Sequence, residues 1–230
     1  SLWIWLMKIY LWMLSNIILI VLLLVFIFWN INSGSISISL NDIFQILFHK
    51  NGDETAYNIV WEIRLPRILA AVILGGALSV SGFLLQTFFG NPIAGPFVLG
   101  ISSGAKLIVA LTMIYLLGKS MVATSGLMIL AAFTGSLISM GFVLLISRKV
   151  KQMSMLVVSG IMIGYICSAI TDFVVTFADD SNIVNLHNWS LGSFSGTSWD
   201  NVSVMAVVVF AALFLTFLMS KPISAYQLGV

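Results

Sequence analysis

The sequence predicts an all-α polytopic membrane protein with about six transmembrane helices. Hydrophobic residues make up 60% of the 230 residues and charged residues only 8%, whereas soluble domains carry roughly 25% charged residues. A chain of this size cannot hide so much apolar surface from water, so lipid must be its solvent over much of its area. Six apolar stretches also approach or exceed the about 20 residues that a helix needs to cross a bilayer.

The six stretches define the predicted spans within a single transmembrane domain, residues 1–230. They cover about residues 9–29, 68–89, 97–117, 121–146, 153–177 and 202–219. The first stretch has no basic leader and no small-residue cleavage site, so we interpret it as a retained span and not as a signal peptide. The chain begins without methionine and stops at YQLGV. We therefore expect a part of a longer protein that is incomplete at its C-terminus.

The long connection between the first two spans, about residues 30–67, is predicted to be an outer loop with a surface helix. SISISL alternates polar and apolar residues, which favours a short extended segment. LNDIFQILFHK follows, with Ser39 or Asn41 available as an N-cap and apolar Ile43, Phe44 and Leu47 behind it. This pattern indicates a short amphipathic helix that lies along the membrane surface or, as we favour, packs over the helix ends.

Two connections between the remaining spans, and two patterns of small residues within them, indicate local structure. GNPIAGP predicts a tight turn, interpreted as a rigid corner or, alternatively, as a corner that transmits motion. SRKVKQ is a short cationic connection. Small residues recur four apart in the second and fifth spans, a spacing that lets helices approach closely in lipid. These residues are Ala71, Gly75 and Ser79, and Gly160, Gly164 and Ser168.

The charge distribution favours a cytoplasmic N-terminus. An even number of spans places both ends on one side, and this orientation leaves five basic residues inside and four outside, with three of the inner ones in one short loop. The inner residues are Lys8, Arg148, Lys149, Lys151 and Lys221, and the outer ones are Lys50, Arg64, Arg67 and Lys119. Arg64 and Arg67 then stand outside at the start of the second span. Anchoring of the helix end by snorkelling and recognition of a carboxylate partner both explain them.

Ionisable residues within spans are functional candidates because their burial in lipid is costly. Lys106 and Asp172 are the two examples, and they leave open an ion-coupled secondary transporter or a channel. A metal site is not expected, because the candidate ligands Asp179, Asp180 and His187 lack tight ligand spacing. No catalytic motif and no phosphate-binding glycine loop is visible, so we expect neither an enzyme nor a bound cofactor. A net charge of +2 gives no indication of nucleic-acid binding.

Residues 64–105, RLPRILAAVILGGALSVSGFLLQTFFGNPIAGPFVLGISSGA, resemble the signature region of the permease subunits of ABC importers for iron chelates, haem and cobalamin (FecCD-type permeases). The likeness consists of R-L-P-R at 64–67, S-G-x-x-x-Q at 81–86, N-P-I-A at 91–94 and L-G-I-S-S-G-A at 99–105. Downstream, WSLGSFSGTSW resembles the W-x-x-G-S-x-x-G-x-x-W outer loop of the family, and SKPISAYQLG resembles the start of its loop after span six. Three positions depart from the pattern: Gly95, Phe97 and Lys106.

The resemblance implies the N-terminal part of a ten-helix permease in a bacterial plasma (inner) membrane, with its N-terminus in the cytoplasm. It implies a complex of two permease copies, two ATPase subunits that hydrolyse ATP, and a periplasmic or extracellular binding protein. The cargo would be an iron–siderophore, haem or cobalamin, and Arg64 and Arg67 would receive acidic residues of the binding protein.

The resemblance also places three further groups of site residues. The cytoplasmic turn or gate comprises Gly90, Asn91, Pro92, Ala94, Pro96 and Gly100. The helix along the translocation path contributes Gly160, Gly164, Ser168 and Asp172, with helix packing as the favoured explanation of its glycines. The loop that couples to the ATPase begins with Lys221, Pro222, Leu228 and Gly229.

Overall fold

The computed structural model describes residues 2–34, 36, 38–49, 53–116 and 124–228, and the regular structure within these ranges is helical throughout. The α-helices are α1 Leu2–Asn32, α2 Leu40–His49, α3 Glu54–Asn58, α4 Leu65–Phe89, α5 Ile101–Leu111, α6 Ser125–Ser147, α7 Met153–Val175, α8 Asp180–Leu191, α9 Trp199–Leu218 and α10 Ser220–Leu228. Two π-helical turns, Ile59–Arg64 and Thr112–Leu116, adjoin α4 and α5. The predicted all-α fold class is confirmed.

Five helices in the described ranges are long and apolar enough to cross a membrane: Trp3–Asn32, Glu54–Phe89, Gly126–Ser147, Met153–Val175 and Trp199–Leu218. The predicted third span, 97–117, begins later in the structure, because its helix starts at Ile101 and is described as far as Leu116. Residues 96–100 form turns instead of helix. Gly100 adopts φ 72°, in the left-handed region, and this conformation ends the turn and sets the start of α5.

The second span begins about four turns earlier than predicted, because α3, the π-helical turn and α4 form one continuous helix from Glu54 to Phe89. Pro66 therefore lies inside a helix and not in its first turn. Proline has no N–H to donate and its ring crowds the preceding turn, so it normally disrupts a helix interior. Here the preceding π-helical turn widens the helix, and the Leu65 N–H bonds the Val60 carbonyl five residues back.

Several parts of the sequence predictions lie outside the described residues. They are Ser35 and Ser37 of the extended segment, Lys50, Leu117, Lys119, residues 121–123 and Gly229, together with the side chains of His49 and Leu228. The contacts group the chain into two compact units, residues 1–74 with 194–208 and residues 75–193 with 209–230. The single-domain interpretation stays a prediction.

The first unit is organised around the predicted surface helix, α2. Ser39 is its N-cap, since its Oγ accepts a hydrogen bond from the Asp42 N–H at 3.2 Å. Ile43 and Ile46 are buried in a core with residues of α1, the π-helical turn and α4, whereas Phe44 and Phe48 are exposed. Half of the apolar face of α2 therefore packs over other helices, as the sequence-based interpretation favoured.

The second unit is built on very close contacts between α5 and its neighbours α6 and α7. A Cβ added at Gly104 would lie 2.6 Å from the Ser139 Cβ, and one added at Gly100 would lie 2.6 Å from the Gly164 backbone nitrogen. Gly160 packs on Leu99 in the same way. In lipid, where helices associate through packing and not through hydrophobic exclusion, such backbone contact is a main source of cohesion.

The small residues of α4 behave differently from those of α7. A Cβ added at Gly75 or Gly76 would meet nothing within 4 Å, and the Ser79 hydroxyl only donates to the Gly75 carbonyl of its own helix. The packing that the Ala71, Gly75 and Ser79 spacing predicts is thus not made by the described part of the chain.

Large apolar side chains are also exposed along α1, for example Trp12, Leu19 and Phe26. Such surfaces require lipid or further apolar helices around them.

Ser139 offers a direct test of the α5–α6 contact. It is buried, and its Oγ donates to the Gly100 carbonyl at 2.9 Å. We expect Ser139→Ala to lower the free energy of unfolding by about 0.5–1.5 kcal/mol, the usual net value of one hydrogen bond. Thermal unfolding of the chain in detergent micelles measures this. Ser136→Ala is the control, because the Ser136 hydroxyl bonds only the Ala132 carbonyl of its own helix. An equal loss in both variants would contradict an interhelical role for Ser139.

Candidate functional site

The two arginines of the R-L-P-R motif have different surroundings in the first unit. Arg64 belongs to the π-helical turn and is only 8% exposed. Its Nη1 donates to the Ile31 carbonyl in the last turn of α1, and its Nη2 donates to the Ile36 carbonyl at 2.7 Å. A helix C-terminus presents unpaired carbonyls and the negative end of the helix dipole, so this guanidinium caps α1 and holds the chain that follows it.

Arg67, one turn further along, is half-buried and makes fewer hydrogen bonds than Arg64. Its Nη2 lies 3.5 Å from the Ser195 Oγ, a long hydrogen bond, and its Nε is buried with no partner among the described residues. A buried donor without an acceptor costs about 1–3 kcal/mol. Both arginines line a cavity of about 320 Å³ that is bounded by residues such as Asn30, Ser33 and Ile63. No ion pair with an acidic residue is found for either arginine in the described ranges.

The W-x-x-G-S-x-x-G-x-x-W loop reaches the same unit through its second half. Trp199, the final residue of this motif, donates its Nε1–H to the Trp61 carbonyl at 2.9 Å, and the two indole rings lie 6.0 Å apart. Trp61 in turn donates its own Nε1–H to the Ile46 carbonyl of α2. Together with the Arg67–Ser195 contact, these bonds bring two motifs more than 120 residues apart in the sequence to one place.

The loop can follow this path because of two glycines. Gly192 and Gly196 both have positive φ, 73° and 78°, values that L side chains rarely adopt. The family motif requires glycine at these two positions. The sequence analysis noted the motif but did not predict α8, which precedes the loop. Its signals were present, since Asp179 occupies the N-cap position and Gly192 follows the last helical residue.

The predicted turn at GNPIAGP is a compact structure held by its own hydrogen bonds. Asn91 accepts the Ile93 N–H on its Oδ1 at 3.0 Å, and its carbonyl accepts the Ala94 N–H. Gly90 has φ 57°, and the Pro96 carbonyl accepts the Ile101 N–H. These bonds agree with the rigid-corner interpretation, and a role in gating stays a prediction.

The backbone that follows this turn packs against the first half of α7. Gly160, which packs on Leu99, lies seven residues beyond Met153, the start of α7. At about 1.5 Å per residue this is about 10 Å along a helix that spans the bilayer. Non-helical backbone is stable at such depth only where protein or a water-filled cavity surrounds it.

A polar cavity of about 600 Å³ lies beside the start of α5. Lys106, half-buried on α5, lines it, and its ammonium group has no hydrogen bond or ion pair with any described residue. Apolar and aromatic side chains form part of its wall, and hydroxyl groups from α5, α6, α7 and α8 also line it. The hydroxyl groups belong to Ser102, Ser103, Ser136, Ser168 and Ser190.

The residues predicted to line the path are divided by the structure. Gly160 and Gly164 are buried against α5, which confirms that these two glycines serve helix packing, whereas Ser168 lines the polar cavity. Asp172 is exposed on α7 and is not among the cavity residues. Lys106 and Asp172 form no ion pair with each other, so no direct contact between them supports the alternative of an ion-coupled transporter or a channel.

The remaining predicted site residues lie in exposed segments. Lys221 and Pro222 are in the first turn of α10, and Lys221 has no ion pair with the described residues. Asp179, Asp180 and His187 are exposed, and no group of three or more His, Cys, Asp or Glu side chains converges as a metal site within the described ranges. Coupling of residues 221–229 to an ATPase stays a prediction.

Comparison with known proteins agrees with these motifs. Residues 22–230 match the FecCD transport family. The vitamin B12 import system permease protein BtuC of Klebsiella pneumoniae is 37% identical over 171 residues, which is 74% of this chain and 50% of that protein. The hemin transport system permease protein HmuU of Yersinia pestis is 32% identical over 199 residues, 86% of this chain and 58% of that protein.

The fold is also found in a solved transporter. A chain assigned to the metal-chelate type of ABC transporters, in an inward-facing conformation, superposes with a TM-score of 0.73 over 90% of this chain and 62% of its own length, at 22% sequence identity. The present chain spans about half the length of the curated relatives it matches. With the family motifs matched in order and the family match covering residues 22–230, the chain belongs to the FecCD transport family of membrane permeases.

Proposed function

We propose that the chain is the membrane-spanning part of a binding-protein-dependent ABC importer that moves an iron–siderophore, haem or cobalamin-type chelate into a bacterial cell. A second permease copy completes the pathway, two separate ATPase subunits bind and hydrolyse ATP, and a binding protein delivers the cargo from outside. The chain itself binds no cofactor and catalyses no reaction. Its N-terminus lies in the cytoplasm of a cell bounded by this plasma (inner) membrane.

The observation that carries this proposal is the convergence of the R-L-P-R and W-x-x-G-S motifs at one end of the first unit. Arg67 contacts Ser195 of the outer-loop motif, and Trp61 bonds Trp199. Under the proposed orientation this end faces outward. It would then present a cationic, aromatic surface where a binding protein has to dock, and a guanidinium binds both oxygens of a carboxylate at once.

The two arginines have separate tasks in this proposal. The Arg64 guanidinium is already bonded to two carbonyls, so its direct role is to hold the end of α1 beside the docking surface. Arg67 has donor capacity to spare and reaches the partner's carboxylate. The sequence-based prediction that both arginines dock is thereby narrowed to Arg67 as the contact and Arg64 as its support.

Charge reversal at Arg67 tests the docking role. We expect Arg67→Glu to weaken binding of the partner binding protein by about 2–5 kcal/mol, since an unpaired charge would be buried at the interface. Binding of that protein to the complete transporter in lipid nanodiscs, together with its stimulation of ATP hydrolysis, provides the measurement.

The matched control is Arg148→Glu, which reverses an exposed charge in the loop between α6 and α7, proposed to face the cytoplasm. Unchanged docking by Arg67→Glu would contradict the assignment. So would labelling of a cysteine at exposed Glu62 only from the cytoplasmic side, measured after Cys167, the single cysteine, is replaced by serine.

A further inference from the structure

Lys106 is an ionisable residue in the membrane-spanning part of the second unit. Its surroundings give it no evident structural role. It lies in the second turn of α5, directly after the segment 64–105 that resembles the family signature. A lysine placed there for structure alone would pair with an acid or extend to the membrane surface. No acid pairs with it among the described residues, and instead it lines a cavity of about 600 Å³.

The lining of the cavity includes residues in the interior of two helices of membrane-spanning length. Ser136 is at the centre of α6, and Ser168 lies fifteen residues into α7, about 22 Å along that helix. A lipid headgroup stays at the edge of the hydrocarbon core, which is about 30 Å thick. A solute that crosses the membrane passes the depth of Ser136, and a lipid is the alternative occupant that the experiment has to distinguish.

The lining of the cavity has the chemistry of an oxyanion site. Lys106 supplies a positive charge, and no acidic side chain lines the cavity. The hydroxyl groups of Ser136 and Ser190 already donate to carbonyls of their own helices. Ser102, Ser103 and Ser168 make no such hydrogen bond with the described residues and can donate to an anionic oxygen. The first residues of α5, including Ser102 and Ser103, lie at the positive end of that helix, which adds to the same field. Trp189 of α8 provides a flat aromatic wall against which a planar organic group can stack.

We propose that this Lys106–serine cavity is a transit site for the anionic oxygen atoms of the cargo, so that the chain favours negatively charged chelates, such as catecholate or carboxylate complexes of iron, over neutral ones of equal size. The inference rests on the proposed function and specifies the cargo class for it. It gives Lys106 a role in specificity, whereas the sequence alone indicated it, together with Asp172, as a candidate residue of an ion-coupled transporter or a channel.

Two iron chelates of matched size and different charge test the site. The full chain in phosphatidylcholine nanodiscs is equilibrated against radioactive iron held by a tripodal tris-catecholate, which is triply anionic, or by a tripodal tris-hydroxamate, which is neutral. We expect the tris-catecholate to bind at least about ten-fold more tightly, a difference equivalent to about 1.4 kcal/mol. Lys106→Met should abolish this preference and Lys106→Arg should retain it.

Lys151→Met serves as the control, since it removes the same charge from an exposed residue between α6 and α7. Elution of every variant as a single species in size-exclusion chromatography shows that a lost preference is not a lost fold. Equal binding of both chelates by the unmodified chain, no binding of either, or a preference that survives Lys106→Met overturns the proposal. Retention of phosphatidylglycerol that depends on Lys106, without any chelate preference, assigns the cavity to a lipid and also overturns it.

The outcome is separable from the proposed function. Loss of the charge preference leaves the importer role standing, because that role is tested by docking at Arg67 and by ATP-driven uptake. Conversely, a charge preference that depends on Lys106, found together with unchanged docking by Arg67→Glu, would support the transit site and contradict the docking assignment.

Discussion

Gly135→Ala is expected to prevent stable folding of the second unit. An added Cβ would lie 2.8 Å from the carbonyl carbon of Gly104 and 2.9 Å from the Cα of Ala105, which is closer than real Cβ atoms come. Both neighbours are backbone atoms of α5, so no flexible side chain can move aside. Relief requires α5 and α6 to separate, which disrupts the Ser139–Gly100 hydrogen bond and the packing of Val109 and Ala131.

The expected loss is at or above the upper end of the about 1–3 kcal/mol typical of overpacking. It should appear as loss of the monodisperse peak in size-exclusion chromatography and as a lowered midpoint of thermal unfolding. Gly141→Ala is the matched control on the same helix, because a Cβ there meets nothing within 4 Å. Alanine is favoured over glycine in a helix by about 0.5–1 kcal/mol. A Gly135→Ala protein as stable as Gly141→Ala would show that α5 and α6 do not make this contact.

Arg64→Ala should destabilise the first unit by about 2–4 kcal/mol, since each hydrogen bond to a charged group contributes about 1.5–3 kcal/mol and water recovers part of the loss. The change removes both donors to the Ile31 and Ile36 carbonyls. The last turn of α1 then loses its cap, and the connection to α2 loses its attachment. Limited proteolysis between residues 33 and 39, together with thermal unfolding, measures both effects.

Arg64→Lys and Arg67→Ala complete this test. Lysine keeps the charge but lacks the planar fork that spans two carbonyls, so its loss should fall between those of arginine and alanine. Arg67→Ala should change stability little, because that side chain makes one hydrogen bond of 3.5 Å. If Arg67→Ala destabilised the protein as much as Arg64→Ala, the division of tasks between the two arginines would be wrong.

The sequence predicted the membrane class, the approximate position of most spans and the family motifs, because these depend on local composition. Apolar runs of membrane length need no knowledge of their neighbours to be recognised. The N-cap at Ser39 and the burial of Ile43 also followed from local pattern. Residue types alone sufficed for these features.

The boundaries of the second and third spans could not be predicted in the same way. The arginine and proline at Arg64–Pro66 looked like a helix start, yet a π-helical turn carries the helix through them to α4. The third span begins only at Ile101, after turns that end at Gly100, which is in the left-handed conformation and packs closely on Gly164. Both outcomes depend on backbone geometry that residue propensity does not encode.

The residues of the candidate site could be predicted from the sequence, but their surroundings could not. The sequence singled out Arg64, Arg67 and Lys106, but it treated the arginines as equivalent and grouped Lys106 with Asp172 as ionisable residues within spans. The structure distinguishes the two arginines, because only Arg64 donates to the backbone carbonyls of Ile31 and Ile36. Every residue has such a carbonyl, so residue types do not predict this contact. The structure surrounds Lys106 with serines from four helices, whose spacing along the chain carries no detectable pattern.

By itself, the sequence determined that this chain is a helical membrane protein and carries the motifs of its family, because hydropathy and motif identity are properties of contiguous residues. Only the tertiary structure decided which arginine is free to meet a partner, which glycines bring helices into backbone contact and which hydroxyls gather around Lys106. Those outcomes arise from contacts between residues distant in the chain, and each depends on distances of a few ångströms that only the packed helices define.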